Sequence, residues 1–117
     1  MAWEHFEDMN KGTAIGLADG QIRTLQYRYG AVSTGRQRVH AGYFVEISAG
    51  DQVRVMGRDQ YGLVTALRSA ADQLEAEGVT LKAAGTSPEF YETGLSFNSG
   101  RGYLGKGPAV SMMEPHS

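Results

Sequence analysis

The 117 residues include no cysteine, which removes disulfide frameworks, thiolate metal sites and cysteine nucleophiles from consideration. Neither sign of charge dominates: 11 Lys+Arg stand against 13 Asp+Glu, a formal net charge of −2. A strongly basic nucleic-acid module and an acidic DNA mimic are both disfavoured on that balance. Long apolar runs are missing too. Tyr43-Phe44-Val45 is typical of the longest, far from the ~20 residues that cross a bilayer. The opening residues Met1-Ala2-Trp3-Glu4-His5-Phe6-Glu7-Asp8 carry acids where a signal peptide carries bases, and no apolar stretch follows. A cytoplasmic protein without membrane contact is the expectation. No internal repeat is visible.

What is present is glycine, 16 residues of it, about twice the usual ~7% share and spread through the chain. Glycines between apolar runs imply many tight turns. The length fits one domain with one core. Residues 1–97 read as that domain, and residues 98–117 as a glycine-rich loop and tail with the composition of a flexible chain end.

The strongest element lies at residues 60–77. Leu63, Val64, Leu67, Ala70, Ala71 and Leu74 form a stripe of period 3.6, so the spacing predicts a long amphipathic helix. Asp59 is placed to cap its start and Gly78 to end it in the left-handed conformation. Arg68 and Asp72, four apart, would pair on its outer face.

Strand patterns surround the helix. Val39, Ala41, Tyr43, Val45 and Ile47 alternate with their neighbours, and a turn at residues 48–51 leads into Val53 and Val55. Leu25, Tyr27 and Tyr29 alternate behind an Asp19-Gly20 turn, with Ile22 out of phase and suggestive of a bulge or late start. Val79, Leu81 and Ala83 suggest a further strand, and residues 92–97 a last one. Trp3, Phe6 and Met9, three apart, suggest a short N-terminal helix. The fold class that follows is α+β: an antiparallel sheet of about five short strands, covered on one face by the helix at 60–77. One helix cannot cover both faces, so the other is left for function.

Motifs with chemistry are few. Gly100, Gly102 and Gly105 match G-x-G-x-x-G, and Gly100 to Lys106 match G-x-x-x-x-G-K, yet Gly107 replaces the hydroxyl residue that a P-loop places on magnesium. Pro108 follows, and too little chain remains for a βαβ unit, so a nucleotide cofactor is not expected. His5 with Glu4 or Asp8 is a weak metal pattern, and Glu89 and Glu92 with Glu46 or Asp51 a weak acid–base one. No serine elbow occurs. No catalytic residue, cofactor or metal is assigned, and the chain reads as a non-enzyme.

The binding candidates are Arg28, Tyr29, Arg36, Arg38 and Tyr43 on the first strands and their connecting loop, with Arg101, Tyr103 and Lys106 in the glycine-rich segment. Arginine and tyrosine often dominate protein interfaces. The expectation is therefore a small accessory subunit, adaptor or inhibitor whose partner is another protein, a homodimer being one form of it. Two alternatives stand beside it. Arg28, Arg36 and Arg38 with a tyrosine or Phe44 could hold RNA or single-stranded DNA, if Arg28, His40 and Phe44 share a face. A small-molecule binder or enzyme would use a pocket between the helix and the loop beginning at Asn98.

Overall fold

A computed structural model describes residues 3–116. Met1, Ala2 and Ser117, which contribute to the targeting and tail readings, lie outside the described residues.

The first half of the chain is a four-strand antiparallel meander. It runs through β1 (Glu4–Ala18), β2 (Gln21–Thr34), β3 (Val39–Ala49) and β4 (Val53–Asp59). Helix α1 (Leu63–Ala76) follows, and β5 (Thr80–Leu81) returns to pair with β1, giving the sheet order β4-β3-β2-β1-β5. The class is α+β, with one helix against a curled five-stranded antiparallel sheet.

The Asp19-Gly20 turn forms as expected, both residues taking positive φ (51° and 73°), the backbone of a two-residue hairpin turn. Gly78 ends α1 at φ 84°, also as expected. The helical stripe is buried: Leu63, Leu67, Ala70 and Leu74 are fully enclosed and Val64 nearly so. They pack on Leu25, Tyr29, Val45, Ile47 and Val55 from the sheet. The closest approach is at Gly57 on β4, where a Cβ would collide with the Ala66 carbonyl and the Ala70 nitrogen of α1.

Several expectations are corrected. Residues 4–18 form a strand, and the N-terminal helix expected from Trp3, Phe6 and Met9 is absent. An isolated short helix is marginal, whereas pairing along the whole of β2 satisfies the backbone. The helix is 14 residues and not long; it starts at Leu63, because Asp59 accepts the Tyr61 and Gly62 N–H groups (2.9 and 2.7 Å) in a turn before it. Arg68 leaves Asp72 and donates to the Gly85 and Ser87 carbonyls, each at 3.2 Å. The first three strands are long, at 15, 14 and 11 residues. No register shift occurs at Ile22; the two bulges fall at Asp8/Asn10 and Val32/Ser33. Residues 92–97 are turns, and the strand there is β6 (Phe90–Tyr91).

Residues 99–116 are built into the same structure. β7 (Arg101–Leu104) joins β6 and β8 (Val110–Ser111) in a small three-stranded sheet. Met112 and Met113, 0% and 2% exposed, belong to the main core. Core residues of this segment pack with those of α1, and among the described residues no helix lies on the second face of the large sheet. The smallest extent, 20 Å, matches one sheet and one helix layer and leaves no room for a third.

Candidate functional site

The uncovered face is ordered in rows by strand register. Arg58, Phe44, Gly30 and Asp8 lie side by side across β4, β3, β2 and β1; Met56, Glu46, Arg28 and Lys11 form the next row. At their centre Phe44 is fully buried although it is on the side away from α1. Phe6 meets it edge-on at 5.2 Å between ring centroids, and the Arg28 guanidinium lies 4.8 Å over it. Arg58 in turn lies 5.6 Å from the Phe6 ring. Cations over aromatic faces are attracted by the ring quadrupole.

Carboxylates hold both guanidinium groups in place. Arg28 donates from Nε to Glu46 and from Nη1 to Asp8, both at 2.9 Å. Arg58 makes a two-pronged pair with Glu4, its Nη1 at 3.1 Å from Oε1. The hydrogen bond from Arg58 holds the Glu4 carboxyl below its usual range, and the same bond raises Arg58. Arg28 is likewise raised, first by its bond to Glu46 and then, against the opposing effect of burial, by that to Asp8. Burial pushes the Tyr27 phenol up, with Tyr29 adding to it. Gly30 is needed because a Cβ there would strike the Glu7 carbonyl at the β1 bulge.

Further along the same face the chemistry turns apolar. Ile15, Leu17 and Ile22 border a shallow groove of about 340 Å³, closed at one side by Lys82, Pro115 and His116. Ile22 is 76% exposed.

The anticipated binding residues fall into separate groups. Arg28 sits in the face cluster. Tyr29 and Tyr43 turn to the helix side; Tyr29 is buried and its hydroxyl accepts from the Asn10 amide at 3.3 Å. Arg36 and Arg38 are exposed at the tip of the β2–β3 hairpin, Arg36 5.8 Å from the Trp3 ring and Arg38 paired with Glu7 at 3.0 Å. Arg101 donates to the Ala109 carbonyl at 2.9 Å, Tyr103 stacks on Tyr91 at 5.6 Å, and Lys106 is exposed in the connection to β8. Arg28 and Phe44 do share a face. His40 does not join them: the bulge at Val32/Ser33 turns it to Tyr43, 5.0 Å away.

Phe6, Arg58, Glu4, Asp8 and Glu46 are the cluster members absent from the anticipated binding residues. Their signal was the alternation Glu4, Phe6, Asp8, which a strand reading of the N-terminus would have placed on one face. Among the described residues, no group of three or more His, Asp or Glu side chains could hold a metal, and no helix is long and apolar enough to cross a membrane. The chain matches no protein-family model and no curated sequence.

Proposed function

We propose that this protein is a small non-catalytic module that binds another protein through the uncovered face of its five-stranded sheet. The observation that carries the reading is the groove of Ile15, Leu17 and exposed Ile22 on the same sheet face as the Arg28–Phe44 cluster. Apolar surface left open next to fixed polar groups is the composition of an interface. The cluster is already ordered by its ion pairs, so docking onto it freezes few side chains and loses little entropy. An accessory, adaptor or inhibitor role fits such a surface.

Nucleic acid is the weaker alternative. Arg28 and Arg38 are both neutralised by carboxylates, which reduces what they offer a phosphate backbone. The small-molecule reading has less support at its expected place, where the Asn98 carboxamide is already engaged by the Leu63 N–H and the Tyr61 carbonyl.

The test is chemical cross-linking in the native host with the wild type, Ile22→Asp and, as a control on the helix side, Glu75→Gln. A specific protein held by the wild type and the control but lost from Ile22→Asp is the expected result. Equal capture by all three, or none by any, overturns the reading.

A further inference from the structure

The outer edge of β1 is left open over most of its length. β5 covers it only at Gly16 and Leu17, supplemented by the Lys82 N–H on the Ile15 carbonyl at 2.8 Å. Among the described residues no strand lies beside Glu4 to Thr13 on that side. Strand geometry says which groups point outwards. The Ile15 carbonyl faces β5, so Thr13 and Lys11, two and four residues away, face the same way. The Trp3 carbonyl accepts the Gly35 N–H at 2.9 Å on the β2 side, so Glu4 and Phe6 face out. The bulge between Asp8 and Asn10 accounts for the change of phase between these halves. Among the described residues, the Lys11 N–H alone of these outward groups has an acceptor, the Asn10 side chain at 2.9 Å.

The opposite edge is treated differently. β4 has seven residues, and the Gln73 amide on α1 donates to its Met56 carbonyl at 2.7 Å. An uncovered edge of about ten residues can template another strand, provided the partner's charges complement its own acids and Lys11.

We infer that the occupant is a second copy of this chain, pairing its own β1 edge antiparallel about a two-fold axis. The register that places outward residues opposite outward residues sets Glu4 against the partner's Thr13 and Phe6 against the partner's Lys11. Each Lys11 then lies diagonally between the partner's Glu4 and the partner's Asp8, and no acid faces an acid. Two five-stranded sheets become one continuous sheet, and the interface is isologous. The inference goes beyond the sheet-face reading and stands on the geometry of the β1 edge alone.

Size-exclusion chromatography with light scattering, run over a range of concentrations, tests this. The wild type is expected at twice 12.6 kDa. Lys11→Glu, on an exposed side chain, sets each new carboxylate between two acids of the other copy, four such contacts per dimer, and should raise the dissociation constant about tenfold or more. Thr13→Pro deletes an outward N–H that β2 does not use and should give a monomer; circular dichroism checks that each variant keeps the wild-type fold. A wild type that stays monomeric at every concentration, or a dimer unmoved by Lys11→Glu, overturns the edge pairing. Cross-linking to a host protein separates the two claims: a monomer that still captures one leaves the sheet-face reading intact, whereas a dimer that captures none leaves the pairing intact.

Discussion

The side-chain carboxamide of Asn98 clasps the start of the helix that begins at Leu63, 35 positions earlier in the chain. Its oxygen accepts the Leu63 N–H at 2.8 Å and its nitrogen donates to the Tyr61 carbonyl at 3.0 Å. The Glu92 carboxylate holds Asn98 in turn by accepting its backbone N–H at 2.8 Å. A helix with no cap of its own thus borrows one from the glycine-rich segment. Because Asn98 has φ 59°, Asn98→Gly keeps the backbone comfortable and removes only the cap. Loss of about 1 kcal/mol is expected in urea titration, with faster amide exchange confined to the first turn of α1. Unchanged exchange there would show that the clasp contributes nothing.

Gly57→Ala should be more damaging than most glycine substitutions. The added methyl meets helix backbone at Ala66 and Ala70, which cannot rotate away, so α1 must lift from β4. Overpacking of this kind costs about 1–3 kcal/mol. The check is the urea midpoint, compared with Gly94→Ala, where a Cβ meets nothing within 4 Å.

Phe44→Ala removes a fully buried ring from the face opposite the helix. About 3–5 kcal/mol of stability should be lost, the range for an enclosed phenylalanine. The Arg28 guanidinium also loses the ring beneath it. Arg28→Lys keeps the charge but cannot serve both Asp8 and Glu46 in the same planar geometry, and a smaller loss of about 1 kcal/mol is expected. Equal losses in the two variants would show that the ion pairs, not the ring, hold this cluster together.

The pair of Glu4 and Arg58 predicts a pH dependence. The folded chain holds the Glu4 carboxyl below its ordinary value of 4.5, so folding favours the ionised form. Its contribution is therefore present above that value and disappears as pH falls through the lower, folded one. Stability curves of the wild type and Glu4→Gln should differ at neutral pH and converge in acid, and added salt should narrow the gap because the pair is exposed. Parallel curves across the whole range would remove Glu4 from the acid response.

Met112→Ala tests whether the last twenty residues are structural. Met112 is fully enclosed in the main core, and truncation there should cost about 2–5 kcal/mol. A value near zero, read as an unshifted thermal midpoint, would mean the segment packs only loosely.

These elements differ in how openly the sequence announces them. The stripe from Leu63 to Leu74 needs one buried side and repeats without interruption, so α1 was legible, as was the alternation of β3. β1 was not. Trp3, Phe6 and Met9 imitate helical spacing, and the bulge at Asp8/Asn10 shifts the phase before Ala14, so neither half shows a full strand pattern. Its helix-side positions are also small, Ala14 and Gly16, which hides the apolar periodicity. β6, β7 and β8 have two to four residues each, too few for any period to show. For the site, Arg28 and Phe44 could be placed together from alternation, but Arg58 and Glu4, 54 residues apart on β4 and β1, are joined only by the order and curl of the whole sheet.

The 20 Å thickness has an evolutionary consequence. With its rod spent on one side of a two-ply slab, the molecule can have much of its other side rewritten, Gly30, Val32 and Phe44 aside, while the hydrophobic interior between the plies stays untouched. Relatives sharing this scaffold should therefore diverge fastest around exposed Ile22 and slowest around Gly57, whose Cα lies against the helix backbone.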